Sequence, residues 1–348
     1  MVAHELLGGT MGKKLDIGII FGIRNLPERP RPLNELYEQF IAEAVYAEQL
    51  GFDHAWNGEH HFSTDQWGPS MFPILAAVAA RTERIRIGSA VVCLPMHDPV
   101  RIAEDAATVD ILSNGRFDLG VGVGSAPLEY EVFGANMKDR MAQLWEGCDV
   151  LEKCLSGQPV QHEGRFYRYP EFTMTTNPVQ AKIPMWVGTF GPKMIDETAR
   201  RGYHLGSGVA EPFAARLAVH GRNPADHFSC DLRWIHVAET REKAWDEAEE
   251  GLHHVLRFYR EWTGAPGTDA NGPLVTLPPL GEFRKTPGVG MVLPFLVGTP
   301  DDINAHFESY NHRPITHTAL EFNHAGMPTE TVRNSMKLFA DEVLPNYR

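Results

Sequence analysis

The chain has 348 residues, 43% hydrophobic and 22% charged, the balance of an ordinary globular enzyme and not of a disordered or fibrous chain. A net charge of −13 argues against nucleic acid or an anionic membrane as partner, since both are gripped through clustered Lys and Arg, and no apolar run is long enough to span a bilayer. Four cysteines (Cys93, Cys148, Cys154, Cys230) without C-x-x-C spacing argue against a disulfide framework or a zinc site, so a reduced, cytoplasmic protein without a metal is expected.

Residues 1–12 lack the basic start and the apolar stretch of a signal peptide and are expected to form a flexible tail on one domain over residues 13–348. Leu15–Gly22 is a short apolar run, expected as a buried strand. Leu33–Leu50 places Leu36, Phe40, Ala44 and Ala47 at helical spacing and stops at Gly51, where a left-handed C-terminal residue is needed. Asp53–His60 is expected as strand two, and Pro69 opens a helix over Ser70–Thr82. Arg84–Cys93 alternates as a third strand, Asp98 caps a helix over Val100–Leu112, and Arg116–Gly124 is the fourth strand. Gln143–Leu155 is the next helix.

The same rhythm returns in the strands Met185–Thr189, His204–Gly208, Asp231–Ala238 and His317–Asn323, with helices over Pro192–Arg201, Glu242–Trp262 and Thr329–Leu344. Connections this long are right-handed crossovers between parallel strands. Eight strands fit a single (β/α)8 TIM barrel better than a doubly wound sheet. Two stretches break the pattern. Residues 158–182 read as an extended or hairpin insertion, and residues 263–294, rich in Gly and Pro, read as an active-site lid.

In such a barrel the chemistry sits where strands end: residues 22–25, 57–62, 90–93, 122–125, 188–191, 206–208 and 323–324. Only the second strand end offers an acid–base set, Glu59-His60-His61. Along a strand Glu59 and His61 face one way and His60 the other, so the three cannot share one metal. Gly188-Thr189-Phe190-Gly191 leads into a helix opened by Pro192, an arrangement that offers backbone N–H groups to an anion. Gly120, Gly122 and Gly124 either permit close packing or leave room for a ligand against the backbone. Trp56, Phe62, Trp67 and Met71, with Phe72, are candidate substrate-pocket residues, and His324 is placed to reach the mouth.

Several motifs in order carry a resemblance: residues 47–53 (AEQLGFD), 59–62 (EHHF), 86–91 (RIGSAV), 98–105 (DPVRIAED), 113–117 (SNGRF), 184–188 (PMWVG) and 338–345 (LFADEVLP). On these the chain resembles the bacterial luciferase-like, flavin-dependent monooxygenase family over nearly its whole length. The resemblance implies the same barrel and makes His60 the catalytic histidine, with Glu59 among the cofactor-binding residues. It implies a cis Ala90–Val91 peptide beneath the isoalloxazine ring. Gly122, Val123 and Gly124 would lie beside the ring and phosphate, although Gly122 and Val123 stand where luciferase has a cysteine and a phosphate-binding arginine. Gly188, Thr189, Phe190 and Gly191 match the phosphate loop, with Thr189 and Phe190 in place of Glu-Ser. The implied reaction uses reduced FMN from a separate flavin reductase and O2, through a C4a-peroxyflavin, on a small apolar organic substrate such as an aldehyde or ketone. An F420-dependent hydride-transferring oxidoreductase and a non-catalytic flavin-binding relative are the alternatives. A homodimer is implied through the second and third helices.

Overall fold

The computed structural model describes residues 13–206, 209–262, 278–285 and 295–348. The expected tail, and most of the expected lid, lie outside the described residues. The first strand, β1 (Asp16–Phe21), has every residue after Asp16 buried, as a strand covered on both faces requires. Helix α1 (Leu33–Leu50) turns Leu36, Phe40, Ala44 and Ala47 into the core. It ends where Gly51 takes φ +88° and returns its N–H to the carbonyls of Ala47 and Glu48.

Strand β2 (His54–Asn57) is shorter than expected. Glu59, His60 and His61 therefore lie in the chain beyond it, not on the ladder. After α2 (Met71–Ala79) the expected third strand is split into β3 (Arg86–Ser89) and β4 (Val92–Cys93), and the Ala90–Val91 peptide between them is cis. Helix α3 (Pro99–Leu112) starts on Asp98, whose carboxylate accepts from the N–H groups of Val100 and Arg101.

Strand β5 (Phe117–Gly122) is followed by α4 (Pro127–Val132) and α5 (Arg140–Leu155). An antiparallel hairpin of β6 (Val160–Glu163) and β7 (Arg168–Phe172) occupies the first insertion. Next come β8 (Met185–Val187), α6 (Pro192–Arg201), β9 (His204–Leu205), α7 (Ala210–Val219), β10 (Cys230–Val237) and α8 (Arg241–Trp262). The chain closes with β11 (Leu296–Gly298), α9 (Pro300–Glu308), β12 (His317–Glu321) and α10 (Thr329–Glu342).

The main sheet is parallel, in the order β11-β10-β12-β1-β2-β3-β5-β8-β9, with β4 also paired to β5. It curls far enough that Leu205 in β9 forms a parallel bridge to Ser229, at the foot of β10. Ile20, Trp56, Trp186, Cys230 and Ala319 form a packed layer contributed by five of its strands. All strand ends that follow β1, β2, β3, β5, β8, β10 and β12 in the chain open on the same rim, and the reactive side chains collect there. No helix among the described residues is long and apolar enough to cross a membrane, and all four cysteines are buried and free.

Candidate active site

Glu59 is the hub of one half of the rim. Its Oε1 accepts from His61 Nε2 at 2.8 Å and His97 Nε2 at 2.6 Å, while Oε2 accepts from the Cys93 N–H at 2.6 Å. Burial opposes the charge on Glu59, but the hydrogen bonds from His61 and His97 outweigh it and hold the carboxyl down at about 2. Burial lowers His97 as well, yet the bond and charge of Glu59 win and raise it. Glu129 of α4 accepts from the His61 backbone N–H at 2.6 Å, and burial pushes its carboxyl up to about 7. Glu59, His61 and His97 present three possible ligand atoms within 4.8 Å of one another. Hydrogen bonds account for their convergence. His97 and Glu129 carry no local signal in the sequence, because the fold brings them to Glu59 and His61 from distant elements.

His60 faces the other way. Its ring stands edge-on to Trp67 at 4.5 Å between centroids, and its Nε2 lies 3.3 Å from the Tyr259 hydroxyl. Burial pushes the imidazole down to about 3, and the Arg24 cation adds to this, so His60 is neutral at pH 7. The sequence leaves it near the ordinary histidine range; the enclosure of the ring is what moves it. Trp67 is fixed by an indole N–H bond to the Gly58 carbonyl at 3.1 Å and carries Arg24 on its face at 3.8 Å. Arg24 follows β1, is 2% exposed, and donates from Nη1 to Asp65 Oδ2 at 2.8 Å. His254 of α8 meets the same Asp65 oxygen at 3.4 Å.

Between these halves lies a ledge of small groups. Ala90, Val91, Val123, Gly124, Gly188 and Thr189 are each half-buried, whereas Gly122 is buried. The glycines make room for Val91: a Cβ on Gly122 would stand 2.5 Å from Val91 Cγ2, and one on Gly188 2.8 Å from Val91 Cγ1. The free space at both positions thus receives a protein side chain first, and the ledge above it is what a ligand could touch. Helix α6 begins at Gly191 with no side-chain cap, Gly191 N–H donates to Thr189 Oγ1 at 3.2 Å, and Phe190 is exposed.

The four candidate pocket residues are not brought together. Trp67 stands behind His60. Trp56 belongs to the packed layer with Trp186, 5.0 Å away, and Ala90 rests on that layer. Met71 is 2% exposed in the main core. Phe62, at φ +58°, is half-exposed and packs outward on Phe133. His324 is fully buried, with Nε2 on the Ile235 carbonyl at 3.2 Å, and does not reach the mouth. The chain turns after β2, so the alternation expected for an extended strand did not reach Phe62, while Met71 faces the core as the first residue of α2.

A family model described as luciferase-like monooxygenase matches residues 16–317. The chain is 30% identical over 245 residues to 4-hydroxyprotoasukamycin monooxygenase of Streptomyces nodosus subsp. asukaensis, covering 65% of each chain. It is 29% identical over 245 residues to the oxygenase component of flavin-dependent trigonelline monooxygenase of Acinetobacter baylyi, covering 66% of each. It is also 32% identical over 169 residues to an F420-dependent glucose-6-phosphate dehydrogenase of Amycolatopsis mediterranei, covering 47% of this chain and 50% of that one. The chain spans about half to two thirds of the length of these curated relatives. The solved structure of monooxygenase RslO1 from Streptomyces bottropensis shares the fold, with a TM-score of 0.84 at 23% identity over 96% of this chain and all of that one. With the family model covering most of its length and its strand-end rim built as described, the chain belongs to the luciferase-like monooxygenase family.

Proposed function

We infer that this protein is the oxygenase component of a two-component flavin-dependent monooxygenase, taking reduced FMN from a separate flavin reductase and acting with O2 on a small organic substrate. The observation that carries the reading is the half-buried Ala90–Val91 ledge, at the same rim as a neutral His60. The relative named as the oxygenase component of a flavin-dependent monooxygenase supports it. The residues present fit a flavin: a flat ring needs a ledge without large side chains, and the uncapped start of α6 offers N–H groups to a phosphate.

When bound, reduced flavin supplies the electrons and the C4a carbon at which O2 is activated. The chain's own residues bind and orient. Ala90, Val91, Gly122, Val123 and Gly124 would hold the ring, and Gly188, Thr189, Phe190 and Gly191 would hold the phosphate at the start of α6. Glu59 holds the chain after β2 against His97 and Cys93. His60, neutral at pH 7, offers a ring nitrogen to a hydrogen bond with the reacting group; lowered to about 3, it is too weak a base to keep a proton at that pH. Trp67, Phe258 and Tyr259 pack around His60 and exclude water from it. On the same reading the curled sheet is a closed (β/α)8 barrel of β1, β2, β3, β5, β8, β9, β10 and β12, the protein is cytoplasmic, and α2 with α3 forms a homodimer interface.

The test is to mix protein carrying photoreduced FMN with aerated buffer. The expected result is reoxidation slower than that of free flavin, with a transient absorbance unlike either flavin state. Reoxidation at the free-flavin rate, together with tight F420 binding, would overturn it in favour of hydride transfer, the second reading favoured by the F420-dependent relative.

A further inference from the structure

The rim carries buried polar atoms that the flavin reading does not use. Arg24 is almost fully enclosed, yet its one well-formed hydrogen bond is from Nη1 to Asp65; Nε and Nη2 make none of good geometry, with the Tyr259 hydroxyl near enough to interact. Nε lies 3.7 Å from Glu321 Oε1, too far for a hydrogen bond. Asp65 Oδ1 is likewise enclosed without a partner, and Glu321 Oε1 and the indole N–H of Trp234 make no hydrogen bond of good geometry, although the two side chains interact. Leaving such a group unpaired costs about 1–3 kcal/mol, and a fold that concentrates several at one place has a reason to do so.

Their positions give the reason. Trp234 and Glu321 are register partners on β10 and β12, and Arg24 follows β1, which pairs with β12. These three strands are neighbours on one arc of the sheet, whereas Ala90–Val91, Gly122 and Gly188 end the β3, β5 and β8 arc. His60, following β2, stands between the two arcs and shares Trp67 and Tyr259 with Arg24. A flat cofactor on the second arc leaves the first for the molecule it reacts with.

We propose that Arg24, braced by Asp65 and stacked on Trp67, with Trp234 and Glu321 opposite, is a hydrogen-bonding subsite that takes a carbonyl or hydroxyl oxygen of the substrate. The substrate class is then a neutral oxygenated compound and not a hydrocarbon. Charge agrees with neutrality: Asp65 already balances Arg24, and burial pushes the Glu321 carboxyl up to about 7, against the pull of Arg24. A carboxylate would enter beside two carboxyl groups facing one guanidinium. This rests on the reading above only in taking the rim as the place of reaction.

The experiment compares cyclohexanone with methylcyclohexane as probes, by calorimetric titration of the full-length protein with and without FMN. Cyclohexanone should bind at least about tenfold tighter, as expected for one or two charge-assisted hydrogen bonds. The preference should fall to within about twofold in the double variant Arg24→Met/Asp65→Asn, which removes the cation together with its hydrogen-bonded counter-charge and leaves Glu321 to be neutralised by its burial. Should that variant fail to fold, Trp234→Phe removes the N–H together with part of the indole; the lost bulk acts on both probes, so the preference itself should fall by about two- to fivefold. Equal binding of the two probes by the unaltered protein, or a preference that survives these substitutions, would overturn the subsite. Neither outcome touches the flavin reoxidation test, so the two readings fail separately.

Discussion

Replacing Glu59 by Gln tests whether the rim is held together by one buried anion. The carboxyl is 4% exposed and is pulled from 4.5 to about 2. The shift is worth about 3 kcal/mol of stability, with no discount for solvent screening. An independent count agrees: a carboxylate accepting three buried hydrogen bonds loses its strongest ones when it becomes an amide, at about 1.5–3 kcal/mol for each bond to a charged group, partly recovered by the amide oxygen. With unfolding entropy scaling with the 348 residues, about 3 kcal/mol lowers the melting temperature by about 4 °C. The pH window has a sign. A carboxyl depressed in the folded state contributes its full stability above 4.5 and loses it as pH falls towards 2. His97, raised in the folded state, contributes below its ordinary value of 6.5 and loses that as pH rises. The gap between unaltered protein and variant should therefore be widest near pH 5 and shrink below pH 4. Urea unfolding at pH 7, 5 and 3 reads it directly. A gap as large at pH 3 as at pH 5, or none at pH 5, would refute the account.

His60→Gln should abolish oxygen insertion while flavin still binds and the melting temperature moves by no more than a few degrees, as read by product formation alongside fluorescence titration of FMN. Gly122→Ala places a methyl 2.5 Å from Val91 Cγ2, so it should cost about 1–3 kcal/mol of stability and weaken FMN measurably, because Val91 can only yield towards the ledge. Asp98→Ala removes the α3 cap and should cost about 1 kcal/mol in denaturant unfolding with flavin affinity unchanged. Glu321→Gln should leave stability unaltered at pH 4 and raise it by about 2–3 kcal/mol at pH 8. The Glu321 carboxyl is raised from 4.5 to about 7, so the native protein loses stability as pH climbs through that interval; equal stability of the two proteins at pH 8 would count against it.

How much of this was legible in the sequence depends on how far apart the partners lie. Helix α1, its Gly51 end and the Asp98 cap were readable because each is decided within a few residues. The Glu-His-His stretch was readable as chemistry, and the opposition of His60 to Glu59 and His61 holds, but the chain there is not the strand that the alternation argument assumed. Helices α7 and α9 were not anticipated. Nor were the partners of Glu59, since the Cys93 N–H, His97 and Glu129 reach it from β4, the segment before α3, and α4. Arg24 lay within a strand end marked as reactive, yet nothing local singles it out: its partners, Asp65 and Glu321, are decided by which strands become neighbours.

Adjacent residues in the sequence end in opposite electrostatic states here, and that follows from where the chain turns after β2. Glu59 points to the side where three N–H donors converge, so it stays ionised although burial opposes the charge. His60 points to the side where the facing groups are an aromatic wall and a guanidinium, so burial and like charge act together and it stays neutral. Exchanging the environments would give a protonated histidine beside the Arg24 cation and a neutral acid that no longer gathers the three N–H donors. The Ala90–Val91 ledge is joined to both sides at once, through the Cys93 N–H to Glu59 and through the Ala90 N–H to the Asn57 carbonyl, 2.7 Å away, at the end of β2. A perturbation of Glu59 therefore reaches the ledge directly through the Cys93 N–H and along the chain through Asn57. That anchoring is why Glu59→Gln should disturb both stability and flavin affinity.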